Sequence, residues 1–157
     1  MIDPNKRVVD CQQGDVSSNS FAIAVSRYHE SLTSQLLEGA LATLAESGVA
    51  EDNICVVHVP GAFELSAAAA RLLKNFDSVI CLGIVIKGDT THDQYINSAV
   101  SHTLAQLAVD SGKPVGFGLL TCNTMDQAVA RCGGSVGNKG QEAATAAVQM
   151  IQLFNQL

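Results

Sequence analysis

The sequence predicts a three-layer α/β/α sandwich around a central four-stranded parallel sheet. Three observations point there. Four short apolar runs are each followed by a segment of helical periodicity, and strand–helix alternation calls for parallel strands joined by right-handed crossovers. The third run, residues 78–86, is almost wholly apolar, as a strand covered on both faces should be. The length, 157 residues, suits one such unit and leaves little room for a second.

The elements follow in chain order. Residues 1–19 are expected to form an N-terminal arm, and residues 20–157 a single α/β domain. Residues 9–20 are polar, with Gln12-Gln13-Gly14-Asp15 and Ser17-Ser18-Asn19-Ser20, a composition suited to a tail or an arm that orders against a neighbour. Phe21-Ala22-Ile23-Ala24-Val25 reads as the first buried strand. Leu32, Leu36, Ala40, Leu41 and Leu44 then recur at helical spacing until Gly48 stops the helix. The second strand is Ile54-Cys55-Val56-Val57-His58-Val59, ended by Pro60-Gly61, and residues 62–73 form a small alanine-rich helix. After the third strand, Thr90 and Asp93 have capping-box spacing, and Ile96, Val100, Leu104 and Leu107 make one apolar stripe. The fourth strand covers 115–120. Thr124 with Gln127, and Asn138 with Gln141, repeat the capping signal before the two final helices, which Gly133-Gly134 separates; the last runs to about residue 154. The resulting architecture is flavodoxin-like, and ligands in such sheets bind beyond the carboxyl ends of the strands. That rule selects residues 26–30, 60–64, 87–93 and 121–123, but not the glycine-rich connection 131–140 between two helices.

Composition narrows the function. Hydrophobic residues make up 47% and aromatics only 4%, so the core is aliphatic and alanine-rich, which favours close helix packing and subunit association. A net charge of -6 without a basic run argues against nucleic acid. The five cysteines (Cys11, Cys55, Cys81, Cys122, Cys132) are odd in number and lack CxxC spacing, so they read as free thiols of a reducing compartment. The first residues have no apolar signal core, and no apolar stretch reaches membrane-spanning length unbroken. A cytoplasmic protein without a membrane partner is expected. The histidines (His29, His58, His92, His102) show no paired ligand spacing, and no metal is expected.

Four segments could carry chemistry. In Lys87-Gly88-Asp89-Thr90-Thr91-His92 a strand enters a glycine turn and then a helix. Free N–H groups and the positive helix end favour an anion there, and the same field favours a neutral, proton-relaying imidazole at His92. On residues alone, the segment also reads as a capped helix start with a surface histidine. Arg131 and Lys139 flank Gly133, Gly134 and Gly137, and two cations on an amide-rich loop suit a phosphate; by themselves they are also an ordinary helix–helix linker. Glu64 could accept hydrogen bonds from a heterocycle or simply favour a first helical turn. Tyr28 could stack on a planar ligand or pack. Gly133-Gly134-Ser135-Val136-Gly137 matches a nucleophile-elbow pattern, but that elbow requires a strand before it and a helix precedes it here.

Taken together, Pro60-Gly61-Ala62-Phe63-Glu64-Leu65, the stretch from Leu82 to His92, Pro114-Val115-Gly116-Phe117-Gly118-Leu119-Leu120-Thr121 and Gly137-Asn138-Lys139-Gly140-Gln141-Glu142-Ala143-Ala144 resemble the lumazine synthase family over about residues 20–155. The resemblance implies a cofactor-independent, metal-free transferase that acts at the penultimate step of riboflavin biosynthesis. It would condense 5-amino-6-(D-ribitylamino)uracil with 3,4-dihydroxy-2-butanone 4-phosphate to 6,7-dimethyl-8-ribityllumazine, releasing phosphate. It implies a homo-oligomer, a pentamer or a pentamer-based icosahedral shell, with sites between subunits. By position, Tyr28 would stack on the pyrimidine, where the family usually has Phe. Ala62, Phe63, Glu64, Ile84, Val85 and Ile86 would line the pyrimidine and ribityl side. Asp89 and Thr90 would contact the phosphate, and His92 would transfer protons. A neighbouring subunit would supply Phe117 over the ring, and Arg131 and Lys139 for the phosphate. Asp93-Gln94 after His92 and Ser66 after Glu64-Leu65 depart from the family pattern of an aromatic then an acid, and of proline. A related riboflavin synthase of the archaeal kind, which shares this fold, is the rival enzyme reading, and a lumazine or flavin carrier, or a shell protein that has lost catalysis, is the non-enzyme one. An ordinary flavodoxin is disfavoured, because Ser26-Arg27-Tyr28-His29 is no hydroxyl-rich phosphate cradle.

Overall fold

A computed structural model describes residues 4–157. The element order is β1 (Phe21–Ser26), α1 (Glu30–Glu46), β2 (Ile54–Val59), α2 (Leu65–Leu72), β3 (Ser78–Ile86), α3 (His92–Ser111), β4 (Val115–Cys122), α4 (Met125–Arg131), β5 (Cys132–Gly134), β6 (Gly137–Asn138) and α5 (Lys139–Phe154). The first four strands form a parallel sheet in the order β2-β1-β3-β4, which is the three-layer arrangement expected from the alternation.

Alternation along the strands sends side chains to two cores. Phe21, Ile23 and Val25 of β1 and Ile80, Leu82 and Ile84 of β3 face Leu36, Ala40 and Leu44 of α1 and Ala143, Ala144, Ala147 and Ile151 of α5. Ala22 and Ala24, with Val79 and Cys81, face Leu65 and Ala69 of α2 and Val100 and Leu104 of α3. Each large aliphatic fully removed from water here contributes about 1.5–3 kcal/mol before entropy is subtracted. Small residues on β1 and on the inner face of α5 let helices lie close to the sheet, so the alanine-rich composition reflects packing between layers.

Several local expectations change. The segment after β2 opens as a short 3-10 turn, Ala62–Glu64, before α2 begins. Thr90 and Asp93 do not form a capping box: α3 starts after Thr91 with no side-chain cap, and Thr90 Oγ1 accepts from the His92 N–H at 3.3 Å. The other two caps form. Thr124 Oγ1 accepts from Gln127 N–H at 3.2 Å while Gln127 Oε1 accepts from Asn123 N–H at 2.8 Å. Asn138 Oδ1 accepts from the N–H groups of Gly140 and Gln141 at 2.9 and 3.1 Å. The glycine-rich connection is an antiparallel hairpin of β5 and β6, not an open linker. With a helix before it and a hairpin inside it, the Gly133–Gly137 pattern has no elbow geometry.

The polar N-terminal segment lies on its own chain's last helix. Gln156 Nε2 donates to the carbonyls of Asp10 and Gln13, Gln152 Nε2 donates to Gly14, and Val16 is 1% exposed in the core. Residues 1–3 of the expected arm lie outside the described residues. Among the described residues no helix is long and apolar enough to cross a membrane.

Candidate functional site

The carboxyl ends of β1, β2 and β3 open on one cavity of about 410 Å3. Its walls include Tyr28 after β1, Ala62, Phe63 and Glu64 after β2, Ile84, Val85 and Ile86 at the end of β3, and Thr90 and His92 where α3 begins. These nine residues come from four separate segments of the sequence, and the parallel sheet brings them together because all its strands end on the same edge. Asp89 sits in the same exposed loop but is not one of the walls.

The cavity is apolar on the sheet side and edged with unburied aromatics. Tyr28 is 67% exposed and Phe63 62%. Gly61, Gly88, Asp93 and Ile96 complete the walls; the strand-end rule covers the first three, and Ile96, inside α3, lies outside it. Asp93 had been read as a cap, and only packing of α3 against the turn before α2 turns it toward the cavity. Its Oδ1, Asn97 Oδ1 one helical turn on, and Ser66 Oγ are enclosed without a hydrogen-bond partner among the described residues.

Phe117, Arg131 and Lys139 line a different cavity, of about 430 Å3, together with Thr121, Val136 and Glu142. β4 supplies Phe117, which is 41% exposed, and the helix ends on either side of the hairpin supply the cations, Arg131 from the end of α4 and Lys139 from the start of α5. Cys132 pairs with Asn138 across that hairpin, so Arg131 and Lys139, each next to one member of the pair, are held at a set separation. Asn138 ties the unit to the body: besides capping α5, its Nδ2 donates to the Gln35 carbonyl of α1 at 3.0 Å. Close helix approach makes this possible. A Cβ on Gly140 would stand 1.9 Å from the Leu36 carbonyl oxygen, and one on Gly39 would stand 2.4 Å from Asn138 Oδ1.

Both cations are anchored yet reachable. Arg131 Nη1 donates to the Gln127 carbonyl at 3.1 Å, and Lys139 Nζ lies 3.3 Å from Glu142 Oε2 in an exposed pair. An exposed pair of this kind is worth at most about 1 kcal/mol, so an incoming dianion can displace the carboxylate. Burial pushes the Cys122 thiol up, although the Arg131 charge pulls the other way. Burial also pushes Cys132 up to about 11, with Cys122 adding to the rise. Both sulfurs therefore stay uncharged near neutrality and do not cancel the positive field. Among the described residues no three His, Cys, Asp or Glu side chains converge as a metal site would require.

One chain thus carries an apolar, aromatic-edged cavity with a histidine, and separately a cationic recess with an aromatic lip. The first can hold a planar heterocycle and move a proton, and the second can hold a phosphate. The family model for 6,7-dimethyl-8-ribityllumazine synthase matches residues 18–155. A protein of that name from Rhodopirellula baltica is 48% identical over 147 residues, which are 92% of this chain and 95% of that one. Another of that name, from Syntrophus aciditrophicus, is 45% identical over 139 residues, 87% of this chain and 90% of that one.

Proposed function

The chain belongs to the 6,7-dimethyl-8-ribityllumazine synthase family, and from that premise we propose how its residues share the work. The reaction joins 5-amino-6-(D-ribitylamino)uracil to 3,4-dihydroxy-2-butanone 4-phosphate. The primary amine adds to the carbonyl and water leaves, giving a Schiff base. Loss of the C3 proton then expels phosphate with its C–O bonding pair and leaves an enol. That enol takes a proton at the former phosphate-bearing carbon, which becomes a methyl group, and the C3 hydroxyl becomes a ketone. The ribityl-bearing nitrogen closes the ring on that ketone, and a second water departs.

In this reading, Tyr28 stacks on the pyrimidine, and Ala62, Phe63, Glu64 and Ile84 to Ile86 shape its pocket. Glu64 accepts from the ring N–H groups. His92 takes up and returns the protons that the two dehydrations and the elimination move. Arg131 and Lys139, helped by the N–H groups near Asp89 and Thr90, hold the leaving phosphate, and Phe117 covers the ring. Holding both substrates face to face removes much of the entropic barrier to a bimolecular step.

The observation that carries the reading is the division of these residues between two recesses of one chain, each edged by an exposed aromatic. A complete site forms when the cationic recess of one subunit closes the cavity of the next. The protein accordingly works as a cytoplasmic homo-oligomer, a pentamer or a pentamer-based shell. Purified protein given both substrates should yield the fluorescent lumazine; no product sinks the activity. Mixing subunits of His92→Ala and Arg131→Ala after dissociation should restore turnover in about a quarter of the sites, since one subunit keeps His92 and its neighbour keeps Arg131. No recovery, or a native mass of a single chain, sinks the shared site.

A further inference from the structure

We propose that His29 is a positioning residue: its left-handed backbone, and not the chemistry of its imidazole, aims Tyr28 into the cavity. The inference rests on the reading that Tyr28 stacks on the pyrimidine.

The turn from β1 into α1 takes three residues. Ser26 is the last strand residue, buried and paired with Val59. Arg27 N–H extends the ladder by donating to the Val59 carbonyl at 2.8 Å. Tyr28 N–H then donates to Ser26 Oγ at 3.2 Å, which bends the chain back over the strand end. His29 takes φ 60° and ψ 47°, and among the described residues it is the one non-glycine residue with positive φ. Its carbonyl accepts from the N–H groups of Leu32 and Thr33 at 2.9 and 3.0 Å, so α1 begins at once.

Tyr28 lines the cavity, whereas His29 does not. Two-thirds of the tyrosine is exposed, so core packing does not hold it. Its one ring contact among the described residues is with His29 itself, edge to face with centroids 4.6 Å apart. The direction of Tyr28 is therefore set by the backbone on either side of it, pinned at Ser26 and reversed at His29. Left-handed conformation is tolerated by Gly and enriched for Asn, Asp and His, and it is a true outlier for β-branched residues. A residue that refuses this conformation must unwind the turn, swing Tyr28 off the cavity, or fray the start of α1.

The chain has no tryptophan and two tyrosines, Tyr28 and Tyr95. In a Tyr95→Phe parent, tyrosine emission comes from Tyr28 alone. Titration with 5-amino-6-(D-ribitylamino)uracil, corrected for absorption, should quench that emission. In the same background His29→Asn and His29→Gly should keep the quenching midpoint within about threefold, whereas His29→Val should raise it about tenfold, the size expected for one refused backbone conformation. Inhibition of turnover by inorganic phosphate should not change, because the cationic recess is untouched. If His29→Val does not fold, His29→Ala serves, with the same direction and a smaller shift. A parent-like midpoint for Val or Ala overturns the proposal. So does a loss in Asn and Gly equal to that in Val, which would make the imidazole the working part, and so does a parallel loss of phosphate inhibition. If the parent itself is not quenched, the stacking role of Tyr28 fails before His29 is changed, and the inference falls with it.

Discussion

The two recesses are nearly equal in size and are built in opposite ways. Most of the histidine cavity is made from residues at the end of β3 or within a few residues after β1, β2 and β3, so those walls are placed by a nearby strand, and α3 adds Ile96. In the cationic recess, β4 supplies Phe117 and Thr121, but the cations are placed by contacts distant in sequence. Asn138 reaches Gln35 across 103 residues, and Gly140 lies against Leu36. A wall at a strand end is secured by the sheet, whereas a cation at a helix end beside the hairpin depends on how the helices pack. Substitutions should therefore act on chemistry in the first recess, and on binding and stability in the second.

The largest effect that would sharpen this contrast is His92→Ala. Its kcat should fall about 100-fold, the middle of the range for one proton-transfer group, with both KM values changed little. Steady-state kinetics on each substrate checks this, and a large rise in the pyrimidine KM would blur the division. Next, Arg131→Ala should raise KM for the butanone phosphate about 30-fold, the worth of one charge-assisted hydrogen bond pair, leaving the pyrimidine KM unchanged. Equal rises in both constants would break the comparison.

Third, Asn138→Ala removes a helix cap and the side-chain hydrogen bond to the Gln35 carbonyl. It should cost about 2 kcal/mol of stability, seen as a lower Tm, and should also weaken phosphate inhibition. Wild-type stability would show that the hairpin needs no anchor.

The smallest effect is absent at neutral pH. Burial holds Cys81 at about 12 and Cys132 at about 11, against an ordinary value of 9.0 that each regains on unfolding. A raised thiol favours the folded state fully below the unfolded value and loses that advantage as pH climbs through the folded one. Denaturant midpoints should stay flat to about pH 9 and then fall. Cys81→Ala with Cys132→Ala should flatten the decline, and an unchanged slope would assign it elsewhere.

Much of this was legible beforehand for physical reasons. β2 and β3 have the predicted bounds because a continuous apolar run ended by Pro60 or by Lys87-Gly88 has few other ways to fold. The caps at Thr124 and Asn138 formed because the donors they satisfy lie within three residues. The Thr90–Asp93 box did not form, although its spacing is the same. There the chain leaves β3 through Gly88, α3 starts only after Thr91, and Asp93 turns to the wall between α3 and the turn before α2. The β5–β6 hairpin was illegible because it has too few side chains to show a period of two.

Local sequence thus determined the alternation of strands and helices, the direction of the sheet and, through it, the edge on which a ligand would lie. Periodicity and turn chemistry act within a few residues, and a parallel sheet converts them into a common edge. Only tertiary packing decided that Phe117, Arg131 and Lys139 would form their own recess, apart from Tyr28 and His92. That separation depends on α1 and α5 touching at Leu36 and Gly140, a contact between residues a hundred positions apart, and no local spacing encodes it.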